Sequence, residues 1–165
     1  MAKQKEVKTN AMRILDRLKI PYTHRSYECN EFVDGIETAD KLGLPHELVY
    51  KTLVTLGAGG QYFVFVLPIE EELDLKKAAR AVGEKSVSMI PVKDITAVTG
   101  YVRGGCTAVG MKKQYRTVIS DRAEGLEKIY VSGGRIGCQI MLAPKDLCRA
   151  AEGSFGDIMA EHTNG

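Results

Sequence analysis

In this chain of 165 residues, Lys51 is the first candidate for a side chain whose type and position could support chemistry. It begins an alternating stretch, residues 51–56, which predicts a β-strand and places the lysine between a hydrophobic core and the surface. An ammonium fixed at such a position can hold a phosphate, a carboxylate or a carbonyl oxygen. More often, a lysine in this pattern lies on the surface and covers apolar neighbours with its aliphatic stem. The local pattern leaves both roles open.

A glycine-rich stretch at residues 100–113 is the second candidate. Its glycines are Gly100, Gly104, Gly105 and Gly110, and its cationic residues are Arg103, Lys112 and Lys113. Glycines permit a sharply folded loop whose backbone N–H groups converge on an anion or a carbonyl oxygen. The Walker phosphate-binding pattern requires a lysine directly after its last glycine, and Met111 occupies that position. The stretch is therefore not a nucleoside-triphosphatase loop, although an ordinary turn remains an alternative.

Ser132, which is followed by two glycines within residues 131–137, is the third candidate. A hydroxyl beside exposed backbone N–H groups can position a substrate. The stretch differs from the nucleophile elbow of hydrolases, because Tyr130 occupies the first glycine position of that motif. No partner pattern for a catalytic base is recognisable around the histidines, which are His24, His46 and His162. Substrate positioning is therefore favoured over nucleophilic attack, with a hairpin turn as the structural alternative.

The composition argues against several other classes of protein. Lysine and arginine number 23 and acidic residues 21, so the net charge is only +2 and no strong field for polyanions covers the whole surface. The cysteines, which are Cys29, Cys106, Cys138 and Cys148, form no C-x-x-C pair and no cluster with metal-binding spacing. The longest apolar run is far shorter than the roughly 20 residues of a membrane helix. We therefore expect a reduced, cytoplasmic protein without a metal site or a membrane anchor.

The elements that must position these candidates interleave helices with strands. Apolar residues at helical spacing, with Thr9 or Asn10 as the cap and Pro21 as the stop, predict a first helix. Two apolar strands, 51–56 and 62–67, around a glycine-rich turn predict a β-hairpin. Further helices are predicted within 30–43, after Pro45 and at 74–83, 91–99, 144–151 and 155–160, and further strands at 22–27, 86–90, 116–120, 129–132 and 138–142. Because hairpins prevail over regular β-α-β units, the pattern predicts a mixed α+β fold.

These segments, in this order and spacing, resemble the YbaK family, also called the prolyl-tRNA synthetase associated editing domain. The matching stretches are VYKTL at 49–53, LDLKK at 73–77, GYVRGG at 100–105, GMKK at 110–113 and IYVSGG at 129–134. Lesser matches are IPY at 20–22, Tyr27 and KLG at 41–43. The resemblance extends over nearly the whole chain, between residues 9 and 158.

The resemblance implies a free-standing enzyme that hydrolyses mis-acylated tRNA. The branch that this chain looks most like removes cysteine from Cys-tRNA(Pro). In this family no protein side chain is the nucleophile, and the substrate's own thiol, or a ribose hydroxyl in sister branches, assists instead. The implied fold is one domain over residues 1–165, with its core at 9–160 and a mixed, mostly antiparallel, barrel-like sheet surrounded by helices. The implied partners are the tRNA acceptor end and prolyl-tRNA synthetase, with no cofactor, metal or membrane.

The resemblance also assigns roles to individual residues. Its catalytic group comprises Lys51, which would hold the phosphate or ribose end of the terminal adenosine, and the backbone of Gly104 and Gly105, which would contact the aminoacyl carbonyl. The residues implied to bind the substrate are Tyr27, Phe32, Ser132 and Gly133. Those implied to contact RNA form a basic rim of Lys76, Lys77, Arg103, Lys112 and Lys113, whose phosphate contacts make binding sensitive to salt.

Gln139 departs from the family pattern, because that position is often an aspartate. A neutral amide cannot hold the ammonium of an amino acid as a carboxylate does, so the amino acid that is cleared stays open. Alternatives are a deacylase for another amino acid such as alanine, and hydrolysis of another small aminoacyl ester or thioester. A non-catalytic module that binds tRNA acceptor ends or a synthetase is a further alternative.

Overall fold

The computed structural model describes residues 8–26 and 35–161, which form five α-helices and two β-sheets. The helices are α1 (Asn10–Arg17), α2 (Gly35–Leu42), α3 (Leu75–Val82), α4 (Ile95–Thr99) and α5 (Pro144–Ala150). The strands are β1 (Thr23–Ser26), β2 (Tyr50–Gly57), β3 (Tyr62–Pro68), β4 (Val87–Met89), β5 (Arg116–Ser120), β6 (Ile129–Ser132), β7 (Cys138–Leu142) and β8 (Ser154–Gly156). Short 3₁₀ turns cover His46–Leu48, Val92–Asp94 and Asp121–Gly125. Within this described part, no helix is both long enough and apolar enough to cross a lipid bilayer.

The larger sheet has five strands in the order β4-β2-β3-β5-β8. Its centre is the predicted hairpin, in which β2 and β3 run antiparallel and Leu56 lies opposite Tyr62. The next pairings, β3 with β5 and β5 with β8, are parallel. The smaller sheet has the order β1-β7-β6 and is antiparallel throughout.

The two sheets meet along β2 and β6, where Val49, directly before β2, forms a parallel bridge with Tyr130. Among the strand pairings of residues 8–26 and 35–161, four are antiparallel and two are parallel. The prediction of a mixed, mostly antiparallel α+β fold is therefore confirmed. The sheet does not close into a barrel, because the chain divides its strands between two sheets that touch at this bridge.

The central strand β3 is buried on both faces, which explains its continuous apolar sequence. Val64 and Val66 face the main core, which also contains buried residues of α1, β6 and β7. The alternate residues Phe63, Phe65 and Leu67 face a second core that is closed by α3. A strand that is buried on both faces has no polar face, so its sequence shows no alternation.

Capping side chains fix the ends of two helices as the sequence predicts. Thr9 accepts a hydrogen bond from the Met12 N–H at 3.2 Å and begins α1. Asp74 likewise caps α3, and its carboxylate accepts from two backbone N–H groups in the first turn. The helix α3 ends at Gly83, whose φ of 73° lies in the left-handed region that glycine adopts readily.

The predicted terminal helix at 155–160 is wrong. Residues Ser154–Gly156 form β8 instead, and Met159 makes an antiparallel bridge to Leu73. Apolar residues here match helical spacing, but Ile158 reaches the second core from a non-helical segment after β8. The edge of β5 supplies hydrogen-bond partners to β8, and glycines at 153 and 156 disfavour a helix.

Candidate active site

A cavity of about 460 Å³ lies between β2, the segment that leads into α4 and the glycine-rich loop that follows α4. This volume falls within the range of small-molecule sites. Half of the lining residues are aliphatic side chains or methionine, and the others include Lys51, Arg103, Gly104, Cys106, Ser132 and Gln139. The structure therefore brings together residues from all three candidate motifs of the sequence.

The strand register explains why Lys51 and Ser132 meet. The parallel bridge pairs Val49 with Tyr130. Lys51 and Ser132 each lie two residues beyond the bridge on their own strand, so alternation puts Lys51 on the side of Val49 and Ser132 on the side of Tyr130. Both line the cavity.

The same register continues into the smaller sheet. Ser132 of β6 is paired with Gln139 of β7, and Gln139 is paired with Arg25 of β1. Ser132, Gln139 and Arg25 are therefore paired across three adjacent strands. Lys51 lies across the junction of the two sheets and lines the same cavity as Ser132 and Gln139, and we call these four residues the cross-strand row. The row has a cation at each end and two neutral polar side chains between them.

Lys51 is held in a partly desolvated position. Its Nζ donates to the Ile69 carbonyl at 3.4 Å, and its side chain is half-buried. Burial lowers the pKa of Lys51 because it penalises the charged form, whereas the carboxylates of Glu72 and Glu71 act in the opposite direction. A cation with little surrounding water interacts more strongly with an anionic ligand than an exposed one does.

The turn after Ser132 is held by contacts on two sides. The Ser132 Oγ accepts a hydrogen bond from the Gly134 N–H at 3.3 Å. Thr9 donates from its Oγ1 to the Gly133 carbonyl at 2.5 Å, so the cap of α1 also fastens this turn. Gly133 is buried against Cys138, where a Cβ would lie 2.5 Å from the sulfur. Gly133 therefore packs beneath the turn and is not part of the cavity lining.

The two central glycines of the glycine-rich loop occupy different environments. Gly104 is exposed, lines the cavity and has a φ of 85°, which favours glycine. Gly105 is buried against the serine turn, where a Cβ would lie 2.7 Å from the Arg135 Cα. The Gly105 N–H donates to the Val102 carbonyl at 2.9 Å. Gly105 thus allows two loops to touch, and its amide already has an acceptor.

The cavity contains a thiol that is poorly suited to nucleophilic attack. Cys106 lines the cavity, and burial raises its pKa to about 11. The thiolate is the nucleophilic form, so the neutral thiol at physiological pH is weakly reactive. The described histidines do not line the cavity: His46 lies between Asp40 and Glu70, and His24 is exposed on β1. Residues 8–26 and 35–161 contain no group of three metal-ligating side chains that could hold an ion.

The other predicted site residues include some in the cavity, some on the surface beyond it, and two outside the described part of the chain. Tyr27 and Phe32 lie outside the described residues. Arg103 lines the cavity, whereas Lys112 and Lys113 are exposed beyond it. The Lys112 Nζ donates to the Ala97 carbonyl at 3.2 Å, so its side chain lies along α4. Of the predicted RNA-contacting rim, which comprises Lys76, Lys77, Arg103, Lys112 and Lys113, Arg103 is the member that lines the cavity.

Two polar atoms near the cavity lack a hydrogen-bond partner. They are the Oε1 of Gln139 and the hydroxyl of Tyr50, both fully buried, and both residues line the cavity. Burial raises the pKa of Tyr50 to about 12. The sequence drew attention to Gln139 only through a family pattern and gave no signal for Tyr50 or Arg25. Their positions follow from strand pairing between distant segments.

Comparisons with known proteins agree on one family. The family described as the aminoacyl-tRNA editing domain matches residues 32–150. A candidate Cys-tRNA(Pro)/Cys-tRNA(Cys) deacylase named EbsC, from Enterococcus faecalis, is 42% identical over 160 residues, which cover 96% of this chain and 98% of that protein. A proline–tRNA ligase from Fervidobacterium nodosum is 27% identical over 127 residues, which cover 70% of this chain and 22% of the ligase.

A solved structure supports the same fold. A candidate trans-editing enzyme for prolyl-tRNA synthetase superimposes with a TM-score of 0.77 at 20% identity, over 94% of this chain and 100% of that one. At this level of identity the match establishes the fold. The family match over most of the chain, together with the full-length relative, establishes the membership. The chain belongs to the aminoacyl-tRNA editing domain family, whose members are aminoacyl-tRNA deacylases.

Proposed function

We propose that the protein removes cysteine from Cys-tRNA(Pro) and that the cavity is where the ester is cleaved. The observation that carries this proposal is the convergence of Lys51, Gly104 and Ser132 on one cavity. The name of the Enterococcus faecalis relative supports the choice of substrate. As a translation enzyme, the protein would act in the cytoplasm.

The reaction breaks the ester bond between the amino acid's carbonyl carbon and a ribose oxygen of the terminal adenosine. Attack by water, or by the substrate's own thiol, forms a new bond to that carbon and places negative charge on the carbonyl oxygen. The ribose oxygen then leaves and takes up a proton. Aminoacyl esters are activated, so positioning and charge stabilisation supply much of the acceleration that is needed.

Three residues would provide these two effects. We assign the Gly104 backbone to the carbonyl oxygen, because the amide of the neighbouring Gly105 is already bonded to Val102. The half-buried ammonium of Lys51 would hold the ribose and ester end of the substrate. Ser132 would orient the substrate between them. Because the Cys106 thiol stays protonated, the attacking group would come from the substrate or from water.

Selection of the tRNA would involve a second protein. The similarity of this chain to 22% of a proline–tRNA ligase supports prolyl-tRNA synthetase as that partner. The partner would bring the tRNA, and this chain would receive only its 3′ end. The purified synthetase is expected to increase discrimination among tRNAs when it is added to the deacylation assay.

The experiment that tests the function is a deacylation panel with Cys-tRNA(Pro), Ala-tRNA(Pro) and Pro-tRNA(Pro). We expect selective loss of the cysteinyl ester. Lys51→Ala should reduce kcat/KM by about a hundredfold, the effect of losing one preorganised electrostatic contact. Lys145→Ala is the matched control, because Lys145 is exposed on α5 away from the cavity.

Three results would contradict parts of this proposal. Stability of all mischarged species beside an active control enzyme would reject deacylation, and salt-sensitive tRNA binding without cleavage would indicate a binding module. Loss of alanine in preference to cysteine would change the substrate. Near-normal turnover by the Lys51 variant would remove that lysine from the site.

A further inference from the structure

A second recess lies on the outer face of the smaller sheet, beside the cavity. Its volume is about 320 Å³, and its lining residues are Thr23, His24, Arg25, Tyr130, Gln139 and Met141. Gln139 lines both the recess and the cavity, so one side chain separates the two spaces. The roles proposed above leave this recess without a ligand.

We propose that the recess holds the 5′-phosphate of the substrate's terminal nucleotide, with Arg25 as its ligand, so that the RNA leaves the cavity across Gln139. This inference rests on the proposed deacylase function and specifies the direction in which the RNA chain extends from the cavity. Arg25 and Lys51 are the two ends of the cross-strand row. With the phosphate at Arg25, Lys51 serves the ribose and the ester.

The dimensions of the row fit this direction. Residues directly opposite one another on adjacent antiparallel strands have Cα atoms separated by about 5 Å. Ser132 and Arg25 are two such steps apart, so they are separated by roughly 10 Å. A nucleoside 5′-phosphate can bridge that separation, with its sugar near Ser132 and its phosphate near Arg25.

The chemistry of the recess favours a phosphate. The Arg25 side chain is exposed, and its Nη1 donates to the Leu42 carbonyl at 3.2 Å at the end of α2. That bond uses one of the five N–H donors of the guanidinium and fixes its orientation, and a planar donor group suits bidentate phosphate binding. The lining residues named above include no carboxylate that would repel an anion. The half-buried ring of Tyr130 adds an aromatic surface against which a base can stack.

The unpartnered amide oxygen of Gln139 is consistent with a ligand that extends past this side chain from the cavity into the recess. Its Oε1 is buried without a hydrogen bond, and the residue is 9% exposed. A buried acceptor of this kind is unfavourable unless a donor reaches it. A ribose hydroxyl of a nucleotide that passes from the cavity to the recess would supply that donor.

The test compares two small substrates that differ by one phosphate. They are the 3′-cysteinyl ester of adenosine and the 3′-cysteinyl ester of adenosine 5′-monophosphate, assayed after deacylation of Cys-tRNA(Pro) has been measured. We expect the wild type to prefer the phosphorylated ester by about tenfold in kcat/KM, as a charge-assisted contact at an exposed site would give. Arg25→Gln should lose this preference, so that it cleaves the two esters with similar kcat/KM. Arg25→Lys should retain part of the preference.

Arg149→Gln is the matched control, because Arg149 is exposed on α5 and lines neither space. It should behave as the wild type with both esters. Equal use of the two esters by the wild type, or an unchanged preference in Arg25→Gln, would overturn the Arg25 assignment and leave the deacylase function intact. Failure of the wild type to cleave Cys-tRNA(Pro) and both esters would overturn the deacylase function itself.

Discussion

Gln139 is the residue at which stability and substrate binding should conflict. Its amide oxygen is buried without a partner, and an unsatisfied buried polar group costs about 1–3 kcal/mol. Gln139→Leu removes that group at similar volume, so the free energy of unfolding should rise by about 1 kcal/mol. The KM for the aminoacyl substrate should rise as well, because the substrate loses an acceptor. Urea denaturation and steady-state kinetics measure the two effects.

Gln114→Leu provides the contrasting control. The Gln114 Nε2 donates to the Ala151 carbonyl at 2.6 Å, and neither residue lines the cavity. This substitution should lower stability, because the Ala151 carbonyl loses its side-chain donor, and it should leave KM unchanged. An unchanged KM in the Gln139 variant would show that its oxygen does not contact the substrate.

At the scale of elements, the contact between the two site loops should tolerate no added atom at Gly105. A Cβ there would lie 2.7 Å from the Cα and 2.8 Å from the carbonyl carbon of Arg135. Both are backbone atoms, so Gly105→Ala must push the loop of Gly104 away from the turn of Ser132. We expect kcat/KM to fall by about a hundredfold, since a displacement near 1 Å has such effects in active sites.

Thermal unfolding separates the local effect from a general loss of folding. Gly105→Ala should also lower stability by about 1–3 kcal/mol, the usual range for overpacking. Gly125→Ala is the matched control, because a Cβ at Gly125 meets nothing within 4 Å. If the Gly105 variant retained full activity, the packing of these loops would not position the site.

The attachment of α2 should depend on pH. His46 is hydrogen-bonded to Asp40 of α2 at 2.6 Å and to Glu70 at 2.5 Å. The hydrogen bond to Asp40, followed by that to Glu70, raises the pKa of His46 above its usual 6.5. A raised pKa in the folded state means that the stabilisation is fully present below the unfolded pKa and is lost as the pH rises through the folded one.

The prediction concerns the difference in unfolding free energy between the wild type and His46→Gln. We expect it to be largest near pH 6 and to decline as the pH rises through the raised pKa of His46. Because α2 contributes Ile36 and Thr38 to the cavity, KM should rise over the same interval. Chemical denaturation from pH 6 to pH 9 measures the difference in unfolding free energy. Asp40→Asn should lower the unfolding free energy with the same pH dependence as His46→Gln, because it removes the other partner of the contact. A pH-independent difference would exclude the charged contact as its source.

At the scale of the whole molecule, local patterns predicted the elements well and their assembly only in part. The strands Arg116–Ser120, Ile129–Ser132 and Cys138–Leu142 have the predicted limits, because alternation and turn residues mark them locally. The register that places Arg25 beside Gln139 joins segments more than 100 residues apart, and no local pattern encodes it. For the same reason, local patterns predict a helix where β8 forms.

The parts of the candidate site that lie in sequence motifs could be predicted, and the parts that depend on packing between distant segments could not. Lys51, Gly104 and Ser132 stand in recognisable motifs, and the structure places them around one cavity. The distinct environment of Gly105 could not be predicted, because it arises from contact with the backbone of Arg135. Side chains in a motif can thus be found from the sequence, whereas a contact with the backbone of a distant segment can be found only from the folded structure.

The modest net charge of the molecule predicts a shallow salt dependence for tRNA binding. The formal charge is +2, and few cations lie at the two spaces: Lys51, Arg25 and Arg103. Because Lys51 is assigned to the uncharged ribose and ester, Arg25 and Arg103 would each contact one phosphate, and log K should fall against log salt with a slope of about −1.4, since each single-strand contact contributes roughly −0.7. Arg103→Gln should make the slope shallower by about 0.7, whereas Lys145→Gln should leave it unchanged. Fluorescence anisotropy with labelled tRNA over a range of salt concentrations measures the slope, and a value steeper than about −5 would indicate instead a broad basic face that binds much more of the tRNA.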